Sequence, residues 1–453
     1  MTVVTRTWDR LTLPGKALFV LIPLLGVLTL GLVVTIALFG QQILDILIFN
    51  LPIVRFVFSV TILMLIFVPM AFVIIYMEMK IIALMNLRIG PDRVGPWGTL
   101  LSTVHGLKVL MKEDFTPGKA DAVVFTWAPV VVFSTAVLSA LVLPFAPGLY
   151  GQDMNIGLLY FFAVGGMTVV GLLMGGWSSF NKYSLIGGLR SAAQIISYEI
   201  PLTLSVVGLV ILAGTMSLNE IVIQQSRTGW FTDWFMFRQP LGFLIFAIAA
   251  TAEANRTPFD LTEADSEIVA GFATEYSGMR FGFFFFAEYI NVFIISAITV
   301  VLFMGGWNAP FPSPHISWIV DPGSLGLWLV ILIAIVPVVG TLALAAPFYL
   351  FRSKTRWWVA LILGFVLFNL IAGGIFSLWA YINFDWVAGL FWFVGKAFAL
   401  VFLFVWMRGT LPRVRIDQLM GFAWKWLLPA ALLNLFVTAA AVLVIDAMKA
   451  APK

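Results

Sequence analysis

Residues 252–280 read AEANRTPFDLTEADSEIVAGFATEYSGMR, and this stretch gathers carboxylates in a chain that is otherwise mostly apolar. Apolar runs at 241–250 and 281–304 enclose it. Charge beside hydrocarbon is costly and usually functional, so the stretch is predicted to lie at a membrane boundary and to carry function. The stretch contains two basic residues, Arg256 and Arg280, against six acids. The acids are Glu253, Asp260, Glu263, Asp265, Glu267 and Glu275.

The composition of the whole chain sets the fold class. Hydrophobic residues make up 61% and charged residues 11%, and the mean hydropathy is +1.04, which leaves too little polar surface for a soluble globule. We predict an all-α polytopic membrane protein, because a chain in lipid must satisfy its own backbone hydrogen bonds. A crossing needs about 20 apolar residues. Eleven candidate spans lie near 17–40, 52–76, 122–146, 155–176, 199–216, 238–254, 282–305, 326–350, 357–382, 388–408 and 422–446.

The distribution of Lys and Arg orients these spans. With the N-terminus inside, the inner loops are rich in Lys and Arg, whereas the outer loop 217–237 holds Arg227 alone and the other outer loops hold none. Cytoplasmic loops carry this excess. The N-terminus and the acidic stretch are therefore predicted to be cytoplasmic and the C-terminus to lie outside.

The residue types exclude several kinds of chemistry. The chain has no cysteine, which excludes disulfides, Cys-ligated zinc and iron–sulfur clusters on this chain. His105 and His315 both fall outside the predicted spans, so a buried bis-histidine haem is excluded. Phosphate-loop, GxSxG and HExxH motifs do not occur, and no basic soluble segment is present to bind nucleic acid. We expect no metal site and no bound cofactor, so any redox cofactor would belong to a partner.

The acids are spaced for charge handling. Glu263 and Glu267 are one helical turn apart, with Asp260 one turn earlier, and Glu288 continues a possible file of acids into the next span. Carboxylates grouped in a partly dry site are suited to exchange protons near neutral pH. The simpler interpretation is a loop that is acidic for solubility or for docking a basic partner. Lys396 is either a snorkelling lysine or the buried cation of this file.

Two other segments place charge beside spans. Residues 175–199, GGWSSFNKYSLIGGLRSAAQIISYE, combine small residues that allow close helix packing with Arg190, which is expected to pair with Glu199 or with an acid of the main stretch. Arg88 and Arg93 follow the second span, either as ordinary positive-inside residues or as part of the defined turn that the two Gly-Pro pairs of IGPDRVGPWG indicate.

The next segment, LLSTVHGLKVLMKED at 100–114, has apolar residues at helical spacing and lysines on another face. This pattern predicts a helix that lies along the membrane interface.

Together these segments resemble the quinone-chamber membrane subunit of respiratory complex I, a family also called the H subunit or NADH dehydrogenase subunit 1. The resemblance is carried by Glu78 with NLRIGPDRVGPWG, by residues 175–199, by residues 252–279 with AEY at 287–289, and by MRGTLPRVRIDQLMGFAWKWLLP at 407–429. It implies a place at the heel of an L-shaped complex in a bacterial plasma (inner) membrane. The chain would be a subunit without cofactors in a proton-translocating NADH:quinone oxidoreductase.

The resemblance also implies roles for individual residues. The chain would wall the quinone entry tunnel and start a buried acidic relay that couples quinone reduction to proton translocation. The implied relay residues are Glu199, Glu253, Asp260, Glu263, Glu267, Glu275 and Glu288. The implied tunnel residues are Arg88, Arg93, Arg190, Arg256, Arg280 and Phe272. Quinone would be the substrate, and the implied partners are peripheral-arm subunits with flavin and iron–sulfur clusters and antiporter-like or small membrane subunits.

The family core usually has eight spans, so this chain looks extended. We expect an additional N-terminal helix at 1–50, the family core with its acidic loop at 51–305, an inserted transmembrane hairpin at 306–385 and the last two core helices at 386–453. The sequence departs from the usual residues at Asn86, Leu101, His105, Ser266 and Ala273. Since an acid is usual where His105 stands, a proton role for the interfacial helix is put in doubt, although histidine itself can titrate.

Two other functions stay open from the sequence. One is the homologous heel subunit of a related membrane-bound hydrogenase or of an electron-input complex that does not use NADH, which the neighbouring genes would identify. The other is a stand-alone ion channel or carrier with an acidic gate, which the lack of internal repeats disfavours.

Overall fold

The computed structural model describes residues 52–226, 230–260, 271–310 and 385–450. The predicted spans at 17–40, 326–350 and 357–382 lie outside the described residues, and so does the acidic segment 261–270 with Glu263, Asp265 and Glu267.

Helices of very different length make up most of the described chain. In chain order they are α1 (Pro52–Met85), α2 (Leu101–Leu110), α3 (Ala122–Ser139), α4 (Gly157–Ser178), α5 (Lys182–Ala213), α6 (Leu218–Gln224), α7 (Phe235–Arg238), α8 (Pro240–Glu253), α9 (Gly278–Phe303), α10 (Asp385–Thr410), α11 (Ile416–Phe422) and α12 (Leu428–Ala450). Short 3₁₀ turns occur at Pro96–Gly98, Ala140–Val142, Phe231–Asp233 and Gly271–Ala273, and a π-helical segment, Ala423–Leu427, joins α11 to α12. A small antiparallel hairpin between α3 and α4 pairs β1 (Pro144–Ala146) with β2 (Leu149–Tyr150).

Seven helical segments of the described ranges are long and apolar enough to cross a membrane. They are α1, α3, α4, α5, α9, α10 and the continuous α11–α12 segment. Each overlaps a predicted span, and the prediction of an all-α polytopic membrane protein is confirmed.

The predicted full span at 238–254 is wrong in length. The helix there, α8, has 14 residues, which is about 21 Å at 1.5 Å per residue, whereas the hydrocarbon is about 30 Å thick. Pro240 stands at its N-terminus, where a missing N–H costs nothing, and the helix ends at Glu253. Apolar composition alone overestimated the span, because Gln239 (φ −135°) and Asn255 (φ +49°) leave helical backbone geometry on either side.

The predicted span at 199–216 begins too late, because α5 extends from Lys182 to Ala213. Asn181 caps its N-terminus by accepting a hydrogen bond from the backbone N–H two residues on, at 3.0 Å. Gly214, with φ +71°, ends it. The polar first half is helical because its small residues pack closely: a Cβ on Gly187 would stand 2.6 Å from the backbone of Gly271. Glu199 therefore lies in the middle of a helix and not at its start.

The helix α9 is the most buried of the candidate spans. It packs against α3 and α10, and the ring of Phe293 lies 6.1 Å from the rings of Phe67 in α1 and Phe398 in α10. The helix α5 packs against α4, α8 and α12. Residues from α3, α4, α5, α8 and α9 line one cavity, which holds the candidate site.

The predicted interfacial segment at 100–114 contains the helix α2, so its helical character is confirmed. One side of α2 fits tightly, since a Cβ on Gly106 would come within 2.6 Å of Phe72. Its position along the membrane interface stays a prediction, and it is consistent with the exposure of Leu100, Val104, Leu107, Leu110 and Met111.

Candidate functional site

Two carboxylates from different helices line the same cavity. Glu253 ends α8 and Glu288 lies in α9, and both border a space of about 60 Å³. The amides of Asn255 and Asn291 and the ring of Phe272 share this lining. A polar cavity of this size has room for several water molecules, so the two carboxylates can be joined through water.

A third carboxylate, Glu199 of α5, lies beside Glu253. The glycines of α4 leave room for both side chains: a Cβ on Gly166 would stand 3.2 Å from Glu199 Oε1, and one on Gly165 would stand 3.9 Å from Glu253 Oε1. The charges of Glu199 and Glu253 are close enough to interact. We call Glu199, Glu253 and Glu288 the acid row.

A buried cluster of arginine and glutamate adjoins the acid row. Glu78 of α1 is 7% exposed and accepts a hydrogen bond from Arg408 of α10, and its other oxygen lies 3.6 Å from Arg256 Nη1. The Arg256 guanidinium stacks 4.5 Å over the ring of Tyr289, the residue after Glu288. Buried charges need such partners because desolvation is expensive. We call Glu78, Arg256 and Arg408 the buried ion cluster.

Glu78 and Arg408 are not among the site residues predicted from the sequence, although Glu78 is one of the residues that carry the family resemblance. A signal was available for Glu78, since an acid one or two turns before the end of a long apolar run is an intramembrane ionisable residue. The partner of Glu78 across 330 positions of sequence had no local signal.

Asp260 of the acidic stretch lies outside the cavity lining and forms an ion pair. Its carboxylate is buried, and Arg413 Nη2 donates to Oδ2 at 3.3 Å. Val414 N also donates to the carbonyl of Pro258 at 3.0 Å. The loop after α10 is therefore fastened to the turn that follows α8.

Glu275 also has a separate place. Asn181 Nδ2 donates to Glu275 Oε1 at 2.6 Å, while the other amide atom of Asn181 caps α5. Glu275 thus holds the start of the helix that carries Glu199.

Arg280 contacts residues outside the acidic stretch. Its Nε lies 3.2 Å from Asp114 Oδ2 and its Nη1 donates to Thr116 Oγ1 at 2.8 Å. The physical reason is the close approach of the start of α9 to the loop before α3, where a Cβ on Gly278 would stand 3.1 Å from the carbonyl of Lys112. Arg256 likewise pairs with Glu78, which lies outside the stretch.

The same contact region holds Tyr276. Its ring stacks on Phe125 with centroids 4.0 Å apart, and its hydroxyl donates to the carbonyl of Phe125 at 3.1 Å. Burial raises the pKa of Tyr276 to about 12. The phenol stays neutral and acts as an anchor for the turn.

The remaining predicted arginines lie outside the cavity lining. Arg88 and Arg93 are exposed in the loop after α1, and Arg190 is half-buried on α5. Arg190 and Glu199 are nine positions apart on one helix, about 13 Å along its axis, so the predicted pair between them is wrong. A pair between Arg190 and an acid of the main stretch stays a prediction.

Lys396 does not serve as the cation of the acid row. Its Nζ donates to the carbonyls of Met304 and Asn308, each at 2.8 Å, and lies 4.6 Å from the ring centroid of Trp234. Met304 follows α9, sixteen positions and about 24 Å beyond Glu288. Lys396 is a buried cap at the C-terminus of α9, where the helix dipole favours a cation.

The arrangement suits proton and charge handling more than ligation. No group of three or more Asp, Glu or His side chains in the described ranges is placed to hold a metal ion. Carboxylates, amides and a hydrated cavity are the parts from which proton paths in membrane proteins are built.

Comparisons with known proteins agree on one family. The family model described as NADH dehydrogenase matches residues 58–439. The NADH-quinone oxidoreductase H subunit of Anoxybacillus flavithermus is 42% identical over 363 residues, covering 80% of this chain and 86% of that protein. The proteins with the same name from Bacillus cytotoxicus and Dehalococcoides mccartyi are 41% and 40% identical, covering 85% and 82% of this chain and 93% and 82% of their own lengths.

Proposed function

The chain belongs to the NADH dehydrogenase family, and on this premise we propose that it is the H-type membrane subunit of a proton-translocating NADH-quinone oxidoreductase. In this role it walls the quinone entry tunnel and starts the acidic relay that couples quinone reduction to proton movement. Its partners are the other subunits of the complex, which carry the flavin and the iron–sulfur clusters.

The observation that carries the proposal is the acid row. Glu253 of α8 and Glu288 of α9 line a cavity with room for water, and Glu199 of α5 lies beside Glu253. Ionising all three together is costly, because each charge is desolvated and repels its neighbours. The row therefore shares protons, and a change of charge at one end alters proton occupancy along it.

The buried ion cluster connects the row to quinone chemistry. Reduction of a quinone adds two electrons and two protons at its carbonyl oxygens, so charge appears transiently at the headgroup. Arg256 lies between Glu78 and Tyr289, and Tyr289 directly follows Glu288. A charge on the headgroup near the cluster therefore changes the electrostatic potential at the acid row, because the charged groups of the cluster adjoin the row.

The other site residues take supporting roles in this proposal. Phe272 and Arg190 contribute to the tunnel wall, the exposed Arg88 and Arg93 dock the peripheral arm, and Arg280 holds the loop before α3. Asp260 and Glu275 belong to the quinone side of the relay together with Glu263 and Glu267.

The proposal is tested by Glu253→Gln, which keeps the shape of the side chain and removes its exchangeable charge. In the assembled enzyme we expect NADH-driven quinone reduction and proton pumping to fall together by about tenfold or more. Both rates are measured in inverted membrane vesicles and normalised to the amount of assembled complex.

The matched control is Glu220→Gln, since Glu220 lies on α6 and is held by the hydroxyl of Thr215. It should leave both rates unchanged. Normal coupled turnover in Glu253→Gln would count against the relay.

The electron donor is tested separately by purifying the intact assembly through a tag on this chain. Co-purification of flavin, iron–sulfur clusters and NADH dehydrogenase activity is expected. A hydrogenase or another electron-input module in their place would favour the alternative heel subunit.

The matched range begins at residue 58, which supports treating 1–50 as an addition to the family core.

A further inference from the structure

The cavity lined by Glu253 and Glu288 also carries hydroxyl groups, which are not part of the acid row. Besides the carboxylates, its lining includes the hydroxyl residues Thr135 and Ser139 of α3 and Thr168 of α4. Burying a hydroxyl costs free energy unless it is hydrogen-bonded. The hydrogen bonds that these hydroxyls already make therefore show which donors and acceptors are left to face the cavity.

Thr135 and Thr168 form a hydroxyl pair between two helices. Their Oγ1 atoms are 3.0 Å apart, and Thr135 Oγ1 is also 2.7 Å from the carbonyl of Val132. Threonines in membrane helices usually bond back to their own helix, as Thr299 does by donating to the carbonyl of Ile295 at 2.6 Å. Thr168 instead reaches across to α3, at the edge of the cavity.

The pair has two hydrogen arrangements that need no movement of heavy atoms. When Thr135 donates to Val132, Thr168 donates to Thr135, and the free lone pairs of Thr168 accept from a water in the cavity. When Thr135 donates to Thr168, Thr168 donates its own hydrogen into the cavity. A hydroxyl is both donor and acceptor, so this pair can face a water chain with either polarity.

We propose that Thr168, supported by Thr135, orders the water chain that carries protons between Glu253 and Glu288. One proton leaves the carboxyl of one glutamate, one proton arrives at the carboxylate of the other, and the waters and hydroxyls end unchanged with their hydrogen bonds reversed. Thr168 is a positioning residue, because it acts through water and not on the substrate. This inference rests on the proposed relay.

The test replaces the hydroxyl while keeping the shape. Thr168→Val removes the hydroxyl, Thr168→Ser keeps it, and Thr299→Val is the control for a buried threonine that does not line the cavity. Quinone reduction, proton pumping and the solvent deuterium isotope effect are measured in inverted vesicles of the assembled enzyme. We expect Thr168→Val to slow both rates about fivefold with a larger isotope effect, Thr168→Ser to restore both rates, and Thr299→Val to match the unmodified enzyme.

Each outcome decides the question. Equal losses in Thr168→Val and Thr168→Ser would show that packing matters and not the hydroxyl, and would overturn the inference. Normal turnover in Thr168→Val, with Glu253→Gln impaired, would overturn the inference and leave the relay standing. Normal turnover in Glu253→Gln would instead remove the relay itself. If Thr168→Val does not assemble, Thr135→Val carries the test: a slower rate with a larger isotope effect supports the inference, and an unchanged rate and isotope effect overturn it.

Discussion

At the scale of single residues, Gln194 holds the turn that places Glu253 and Arg256. It is 1% exposed on α5, and its Nε2 lies within hydrogen-bond distance of three acceptors, the carbonyls of Ala252 and Phe259 at 2.8 Å and Asn255 Oδ1 at 3.2 Å. These acceptors lie on both sides of Arg256. The amide of one side chain therefore fixes the turn between the acid row and the buried ion cluster.

We expect Gln194→Leu to destabilise this turn by about 2 kcal/mol, because buried carbonyls lose their donor. The measurement is the amount of assembled complex and its quinone reductase rate. Gln224→Leu is the control, since Gln224 donates a hydrogen bond to the carbonyl of Ala213 at the far end of α5. An equal effect of the two changes would contradict a special role for Gln194.

Gln194→Glu gives an independent pH test of the same contact. A carboxylate at this position would face three oxygen acceptors, with Glu253 and Asp260 nearby as further negative groups and Arg256 as a positive one, whereas a protonated carboxyl can donate to one of the acceptors. The variant should be active at low pH and lose activity as pH rises and the carboxyl ionises. The unmodified enzyme, measured in parallel, should not show this loss, and identical pH profiles would contradict the prediction.

Residue chemistry was only partly readable from the sequence. Glu199, Glu253 and Glu288 could be singled out, because an acid in or beside an apolar run is unusual wherever it occurs. Their neighbours could not be identified: Thr168 and Gly166 are ordinary residues of a membrane helix until α3 and α5 are packed against α4. Asn181 illustrates the same limit, since its contact with Glu275 joins positions 94 apart.

At the scale of elements, the apolar runs predicted where helices lie but not where they end. The helix α5 begins seventeen positions before the predicted span, because helix capping and glycine packing, not hydropathy, set its start. The packing of the glycines at the start of α5 can be tested by substitution.

We expect Gly187→Ala to separate α5 from the 271–273 turn. The new Cβ would stand 2.6 Å from the backbone of Gly271 and 2.7 Å from Phe272 N. Backbone atoms, unlike the end of a flexible side chain, cannot relieve this clash by a change of rotamer. Overpacking of this kind costs about 2 kcal/mol, and the displaced Phe272 lines the cavity. The heat-inactivation temperature of quinone reduction should fall. Gly395→Ala on α10, with nothing within 4 Å of its new Cβ, should be neutral or slightly stabilising, and similar shifts for both changes would rule out the contact.

At the scale of the whole molecule, the described ends of the bundle differ in charge. Lys182, Arg280 and Arg408 stand at one end, near the termini of α5, α9 and α10, whereas the hairpin between α3 and α4 has no Lys or Arg. By the positive-inside rule we expect the first end to face the cytoplasm. In the expected orientation, a cytoplasmic arm can reach the acidic stretch.

Because the chain has no cysteine, its orientation in the membrane can be measured by labelling single introduced cysteines. Gly118 and Asn155 are both exposed and lie beyond opposite ends of α3, so a single cysteine at each position reports one side of the membrane. With a membrane-impermeant maleimide, we expect Asn155→Cys to be labelled in right-side-out vesicles, and Gly118→Cys in inverted vesicles after a chaotrope has removed peripheral subunits. The unmodified chain is the control, since it offers no thiol. The opposite labelling pattern would reverse the orientation and place the acidic stretch on the outer side, where a cytoplasmic electron-carrying arm could not deliver electrons to quinone.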